Sequence, residues 1–310
     1  MSNSFHANGK LLLTAEYFVL DGALALAMPV KLGQRLDLRF ANDDLRLLHW
    51  RSLDEKGECW FEAKFDPKNF APSEADDPAI AERLQKILQE TRNLNPTFLL
   101  DYQLPTANCK LNFPRLWGLG TSSTLIYLVA KWAEIDPFEL SARTFGGSGY
   151  DIACAGADGP ILYRLENEKP QFEHCDFYPP FHNSLYFIYL GKKQDSREGI
   201  RNYRERQGDV AGKVKLVSDL TSKFLAAQTL PEFDELIRQL EALVAETIGL
   251  PRAKSLYFND FWGEVKSLGA WGGDFVLATS DRPAEETRRY FNEKGYEVFL
   301  PFDDLILQRK

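Results

Sequence analysis

Trp117-Gly118-Leu119-Gly120-Thr121-Ser122-Ser123 separates a strand-like stretch, 107–113, from an apolar stretch of helical length, 121–133. Glycines let backbone approach a phosphate closely, and the helix start that follows offers unpaired N–H groups and a positive partial charge. The hydroxyls of Thr121, Ser122 and Ser123 add donors or magnesium ligands. Serine and threonine are also ordinary N-cap residues, so on this stretch alone a capped turn and a phosphate cradle are equally good readings. The chain has no G-x-x-x-x-G-K-[ST], which excludes a Walker-type loop.

Three further segments work outward from this one. Gly146-Gly147-Ser148-Gly149-Tyr150-Asp151 puts an acid just after a glycine turn, at the opening of a small-residue helix. Asp151 there is either a charge that complements the helix dipole or a carboxylate that orients and deprotonates a substrate hydroxyl. Lys266-Ser267-Leu268-Gly269-Ala270-Trp271-Gly272-Gly273-Asp274 precedes a strand, as a tight turn or a second place where backbone lies against a ligand. Asn8-Gly9-Lys10 opens the first strand, where a lysine is either solvated or holds a phosphate.

Composition limits the function classes. The 310 residues are 44% hydrophobic and 26% charged, a globular makeup at the length of one large or two joined domains. A net charge of -8 leaves no cation surplus for sequence-independent nucleic-acid binding. The basic run Arg197, Arg201, Arg204 and Arg206 is interleaved with acids and reads as a solvated helix face. Four cysteines without a C-x-x-C pair and four scattered histidines give no zinc spacing. No leader pattern and no run of about eighteen apolar residues occur, so a cytoplasmic protein with no membrane partner is expected.

The order of elements is mixed, which favours α+β. Strands are expected at 10–20, 32–40, 45–50, 59–65, 97–102 and 107–113, with 66–78 a polar connection. Helices follow from Ile80, Leu84, Ile87 and Leu88, from 121–133 and from 138–144. Further strands fall at 161–165 and 185–190. The clearest later helix carries Phe233, Leu236, Ile237, Leu240, Leu243 and Val244 on one stripe and stops at Gly249. A strand, helix, strand set closes the chain. The boundary falls near 176–183, where Tyr178, Pro179 and Pro180 interrupt the pattern, giving domains 1–178 and 179–310.

The four glycine-bearing segments, in this order, resemble the signature of the GHMP kinases, the family of galactokinase, homoserine kinase, mevalonate kinase and phosphomevalonate kinase. HANGKLLLTAEYFVLDGALALAMPV, from His6, resembles the first motif, A-P-G-K followed by an E-H or E-Y pair. FPRLWGLGTSSTL, from Phe113, resembles P-x-x-x-G-L-G-S-S-A. GSGYDIACA, from Gly147, is similar to the S-G-x-D segment of the mevalonate and phosphomevalonate branch, and KSLGAWGGDFVLA resembles K-x-x-G-A-G-x-G-G.

The resemblance implies an N-terminal domain of the ribosomal protein S5 domain 2-like type and a ferredoxin-like C-terminal domain. It implies ATP and Mg2+ as cofactors and a small-molecule acceptor, in a monomer or homodimer. Gly118, Leu119, Gly120, Thr121, Ser122 and Ser123 would bind the nucleotide, and Ser122 would ligate the metal. Asp151 would be the catalytic carboxylate, assisted by Lys10. Glu16, Ser148, Gly149, Gly272 and Gly273 would face the acceptor. Charge rather than the motifs adds Lys192, Lys193 and Arg197, which either supply the cations that a phosphorylated acceptor needs or are exposed charges around a turn. Leu140 stands where mevalonate kinases carry a second magnesium ligand, and its neighbour Glu139 is the expected substitute. Trp271 replaces the first glycine of the third motif's G-x-G-G, where its ring would narrow or cover the site. The activity implied is phosphorylation of phosphomevalonate or mevalonate. A different class is a nucleotide- or metabolite-binding protein of this fold without turnover, and a sugar or homoserine is the other kind of acceptor.

Overall fold

The computed structural model describes residues 4–40, 47–100, 104–192, 196–205, 210–269, 271 and 274–309. The chain runs β1 (Ser4–Leu12), β2 (Ala25–Arg39), β3 (Leu48–Leu53), β4 (Cys59–Phe65), β5 (Pro72–Ala75), α1 (Pro78–Leu94), β6 (Thr106–Leu111), α2 (Thr121–Ala133), α3 (Pro137–Thr144) and α4 (Tyr150–Gly156). It continues through β7 (Ile161–Glu166), β8 (Lys169–His174), β9 (Leu185–Tyr189), α5 (Ser196–Glu205), α6 (Val210–Ala226), α7 (Leu230–Ile248) and α8 (Ala253–Tyr257). The last elements are β10 (Val265–Ser267), β11 (Phe275–Thr279), α9 (Ala284–Glu293), β12 (Phe299–Pro301) and α10 (Phe302–Leu305). Its contacts divide it into two compact units: Met1–Gly9 with Leu32–Arg115 and Leu119–Gly156, and Lys10–Lys31 with Leu116–Gly118 and Ala157–Lys310.

The first unit holds sheet strands in the order β5-β4-β3-β6-β2, with β3 and β6 parallel and the other pairs antiparallel. Alternation explains its layering. Leu48, Trp50, Phe61, Ala63 and Phe65 point to one face and are buried against Leu84, Ile87 and Leu88 of α1 and Ile126 and Val129 of α2. The other face stays polar and open to solvent. Asp77 caps α1 by accepting from the backbone N–H groups of Ala79 and Ile80, with Pro78 at the first helical position. At Gly156 the backbone of α4 comes so close to α2 that a methyl there would lie 2.5 Å from the Tyr127 hydroxyl.

In the second unit the first half of β2 pairs with β7, and β7 with β8, through a turn whose Asn167 and Glu168 both take positive φ. Its other sheet is antiparallel, in the order β10-β11-β9-β12. With the chain order β9, helices, β10, β11, α9, β12, this is the split βαβ arrangement of a ferredoxin-like domain. Tyr186, Ile188, Val276, Ala278, Phe291 and Phe299 form the core between sheet and helix. No helix among the described residues is long and apolar enough to cross a membrane.

Three local expectations change. The strand expected at 10–20 ends at Leu12, because Ala15 and Tyr17 adopt φ of 64° and 65° and a 3-10 turn follows at Phe18–Asp21. The stretch 97–100 is a turn, with Leu99 at φ 57° and Phe98 packed edge-on against Trp132. The connection 66–78 contains β5, a short edge strand exposed at every position and so without an apolar pattern to announce it.

Candidate functional site

Gly118 and Gly120 take φ of 68° and 95°, a left-handed conformation that other residues enter only with strain. Gly120 is the N-cap of α2 and supplies no side chain to the first turn. The hydroxyls of Ser123 and Thr124 turn back onto the Gly120 carbonyl, at 2.9 and 3.1 Å, so they do not cap those N–H groups either. Ser122 faces solvent. An anion is the natural partner for a helix start of this kind, and a hydroxyl beside it is a hard oxygen ligand suited to magnesium.

In the same unit Gly146, Gly147 and Gly149 all have positive φ and lead into α4, with Ser148 buried among them. Asp151 lies in the first turn of α4, half-buried, with its own Oδ1 accepting from the Ile152 N–H at 3.0 Å. Glu139 is in the first turn of α3 and exposed, paired with Arg143 at 2.6 Å. A metal at Glu139 would therefore have to draw its carboxylate from an exposed, weak ion pair. Among the described residues no group of three or more histidines, cysteines or acids could hold a metal ion.

The second unit assembles three of the four segments around Gly118. Lys10 donates its Nζ proton to the Gly118 carbonyl at 2.9 Å. The Asp274 carboxylate lies so close that a methyl on Gly118 would overlap it, 2.5 Å from Oδ1. Tyr189 donates to the Leu116 carbonyl at 3.0 Å, and Trp117 meets Phe275 edge-on at 5.6 Å. The start of the glycine turn is thus held by the first and third segments.

A second link joins those two segments. Glu16 is fully buried and its Oε1 accepts from Lys266 of β10, while Oε2 has no hydrogen-bond partner among the described residues. Glu241, on the buried stripe of α7, lies 3.9 Å from the same Lys266 and accepts from the Ser267 N–H at 3.0 Å. Burial pushes the Glu16 carboxyl up despite the lysine. It pushes Glu241 up to about 8, with Lys266 opposing and Glu16 adding to the shift. Neither Lys266 nor Glu241 was assigned a role from sequence, although an acid four residues after Ile237 on an apolar helical stripe is a signal that was there to find.

Trp271 is buried, 1% exposed, at φ 46°, with its indole N–H lacking an acceptor among the described residues. The left-handed backbone explains why the motif's usual residue at this place is glycine. Lys193, Gly272 and Gly273 lie outside the described residues, and Arg197 is placed only by its backbone, in the first turn of α5. Two surface depressions of about 440 Å³ each contain no residue of these segments. The one on the open face of the first unit's sheet is a cross-strand ladder in which Glu62 accepts from His49 at 2.7 Å and Arg51 at 3.4 Å.

These elements and their order make the fold of the GHMP kinases. Among solved structures, the chain is similar to a mevalonate kinase at 14% identity, over 99% of each chain, with a TM-score of 0.71. It is similar to the Lin0012 protein from Listeria innocua at 17% identity, over 96% of each chain, with a TM-score of 0.70. The Streptococcus pneumoniae phosphomevalonate kinase in complex with phosphomevalonate and AMPPNP is 15% identical, with 96% of this chain and 98% of that one covered and a TM-score of 0.69. The sequence matches no family model and no curated protein. At such identities the likeness gives the fold, and the chemistry has to come from the residues.

Proposed function

We propose that the chain is an ATP-dependent small-molecule kinase of the GHMP family, transferring the γ-phosphate to phosphomevalonate or mevalonate. The observation that carries this reading is the convergence of Lys10 and Asp274 on Gly118, at the start of a glycine turn that leads into an uncapped helix. In this reading, residues 1–178 bind the nucleotide and 179–310 complete the enzyme. Gly118 to Ser123 would hold the triphosphate with backbone N–H groups, and Ser122 and Glu139 would supply oxygens to magnesium. The metal neutralises charge on the phosphates when bound.

Asp151 accepts or orients the acceptor's hydroxyl proton, and Lys10, tied to the turn carbonyl, places a positive charge beside the glycine turn. Ser148 and Gly149 line the acceptor side. Glu16 is fully buried with Oε1 engaged by Lys266, so its part toward the acceptor runs through that ion pair rather than through direct contact. The deciding experiment is ADP release against mevalonate, phosphomevalonate, homoserine and simple sugars. Turnover with none of them would remove the kinase reading and leave a binding protein of the same fold.

Two substitutions test the parts. Ser122→Ala should raise the magnesium concentration needed for half-maximal activity; an unchanged titration would leave Ser122 as an exposed helix-start residue only. The Glu16-Tyr17 pair and the Ser148-Gly149-Tyr150-Asp151 segment favour an acceptor that already carries a phosphate. Two anionic substrates brought together repel, so cations beyond Lys10 are required, and Lys192, Lys193 and Arg197 are the candidates. Replacing Lys193 and Arg197 together with alanine should raise KM for phosphomevalonate roughly ten- to a hundredfold, as expected for losing charge-assisted contacts of about 1.5 to 3 kcal/mol. KM for ATP should hardly move. An unchanged acceptor KM, or turnover of mevalonate alone, would replace phosphomevalonate by mevalonate.

A further inference from the structure

Within the second unit, α5 is seated on the turn that follows Glu16. The Tyr203 hydroxyl donates to Asp21 Oδ2 at 2.5 Å, and Arg204 pairs with Asp21 Oδ1 at 2.6 Å. The Tyr203 ring stacks on Tyr17 at 5.7 Å and meets Phe18 edge-on at 5.6 Å. At the other end of the contact the Tyr17 ring presses on the backbone of α5 at Gly199. A methyl on Gly199 would collide with the Tyr17 hydroxyl and lie 3.0 Å from Cε1 and 3.1 Å from Cζ.

Tyr17 is poorly placed to yield. It is 7% exposed, its φ is 65°, and its ring is clamped between Tyr203 and the helix. Its hydroxyl is buried without a hydrogen-bond partner among the described residues, and burial, with Glu16 beside it, pushes the hydroxyl's pKa upward. A buried, unpaired hydroxyl is a standing cost that packing must offset. Gly199 itself has an ordinary helical backbone, so nothing about its φ calls for glycine.

We propose that Tyr17 is a positioning residue: seated against Gly199, it sets where α5 lies on the Glu16 turn, and through α5 it sets how the acceptor's charged end is received. This rests on the kinase reading above, in which Arg197 of α5 meets that end. The glycine is what lets the helix come so near. The contact therefore makes a sign prediction, because alanine in place of glycine inside a helix ordinarily stabilises it.

The test is a double-substitution cycle in the full chain with Gly199→Ala, Tyr17→Phe and both, read in two ways. In thermal unfolding, Gly199→Ala should lower Tm against the ordinary trend. Tyr17→Phe, which removes the colliding oxygen, should recover part of that loss in the double variant. In steady-state kinetics, Gly199→Ala should raise KM for the acceptor by about tenfold with kcat and KM for ATP within about twofold, and the double variant should move back toward the original value. Additive changes in Tm would overturn the contact, and an unchanged acceptor KM beside coupled Tm values would overturn the positioning role. Failure of the unsubstituted chain to turn over any acceptor would strike the kinase reading instead, because the Tm cycle is read without substrate.

Discussion

Asp151→Asn is expected to lower kcat by a factor on the order of a hundred or more while leaving KM for ATP nearly unchanged. The amide has the size and shape of the carboxylate, so the first turn of α4 keeps its packing around Ile152, Ala153 and Cys154, all of which are buried. The amide oxygen can still accept from the Ile152 N–H, as Oδ1 does at 3.0 Å. What disappears is the capacity to take a proton and the negative charge that aligns an acceptor hydroxyl. Far-ultraviolet circular dichroism and Tm should match the original protein. A variant that keeps near-normal turnover would take Asp151 out of the chemistry and return it to the helix-dipole role that its place in the first turn also allows.

How much of this was open to sequence depended on whether the controlling interaction was local. The α2 helix was found at 121–133 because a glycine turn and an unbroken apolar run mark its start and length. The stop of α7 was legible because Gly249 takes φ 67° as its C-cap, a requirement that the residue type itself announces. By contrast β8 is exposed or half-exposed along its length and contains Pro170, so no alternation distinguishes it from a loop. The early end of β1 was hidden for a different reason. The apolar run continues to Leu20, yet the backbone turns at Ala15 and Tyr17 because Thr14 and Glu16 have partners far along the chain. Thr14 accepts from the Leu26 N–H at 2.8 Å and from Thr221 at 2.9 Å, and Glu16 is claimed by Lys266. For the site, motif order picked out Lys10, Gly118 and the third glycine segment. That Lys10 and Asp274 both close on Gly118 is a tertiary fact with no trace in local spacing.

The ion cluster of Glu16, Lys266 and Glu241 leads to the second large effect. Lys266 is fully buried between two fully buried carboxylates, Glu16 and Glu241, so one cation serves two potential anions. Removing it with Lys266→Met keeps most of the side-chain volume and leaves both acids without their cation. Breaking a buried pair in this way typically costs about 3 to 5 kcal/mol. Protonation limits the loss, and that fixes its pH dependence. Both carboxyls have folded-state pKa values raised by burial, Glu241 to about 8, against an ordinary value of 4.5. A carboxyl raised on folding contributes stability that is fully present below its unfolded pKa and is lost as pH rises through its folded one. In the unsubstituted protein, Glu241 alone should therefore make stability decline between about pH 4.5 and 8, by at most ~1.4 kcal/mol per pH unit. In Lys266→Met the acids can stay neutral at pH 5.5 and are forced toward charge at pH 8.5, so urea unfolding should show a much larger loss at the higher pH. Adding Glu241→Gln to Lys266→Met should recover part of the loss at pH 8.5 and little at pH 5.5. Equal losses at the two pH values would mean that Lys266 acts by packing alone, and that the carboxyls on either side of it do not compete for its charge.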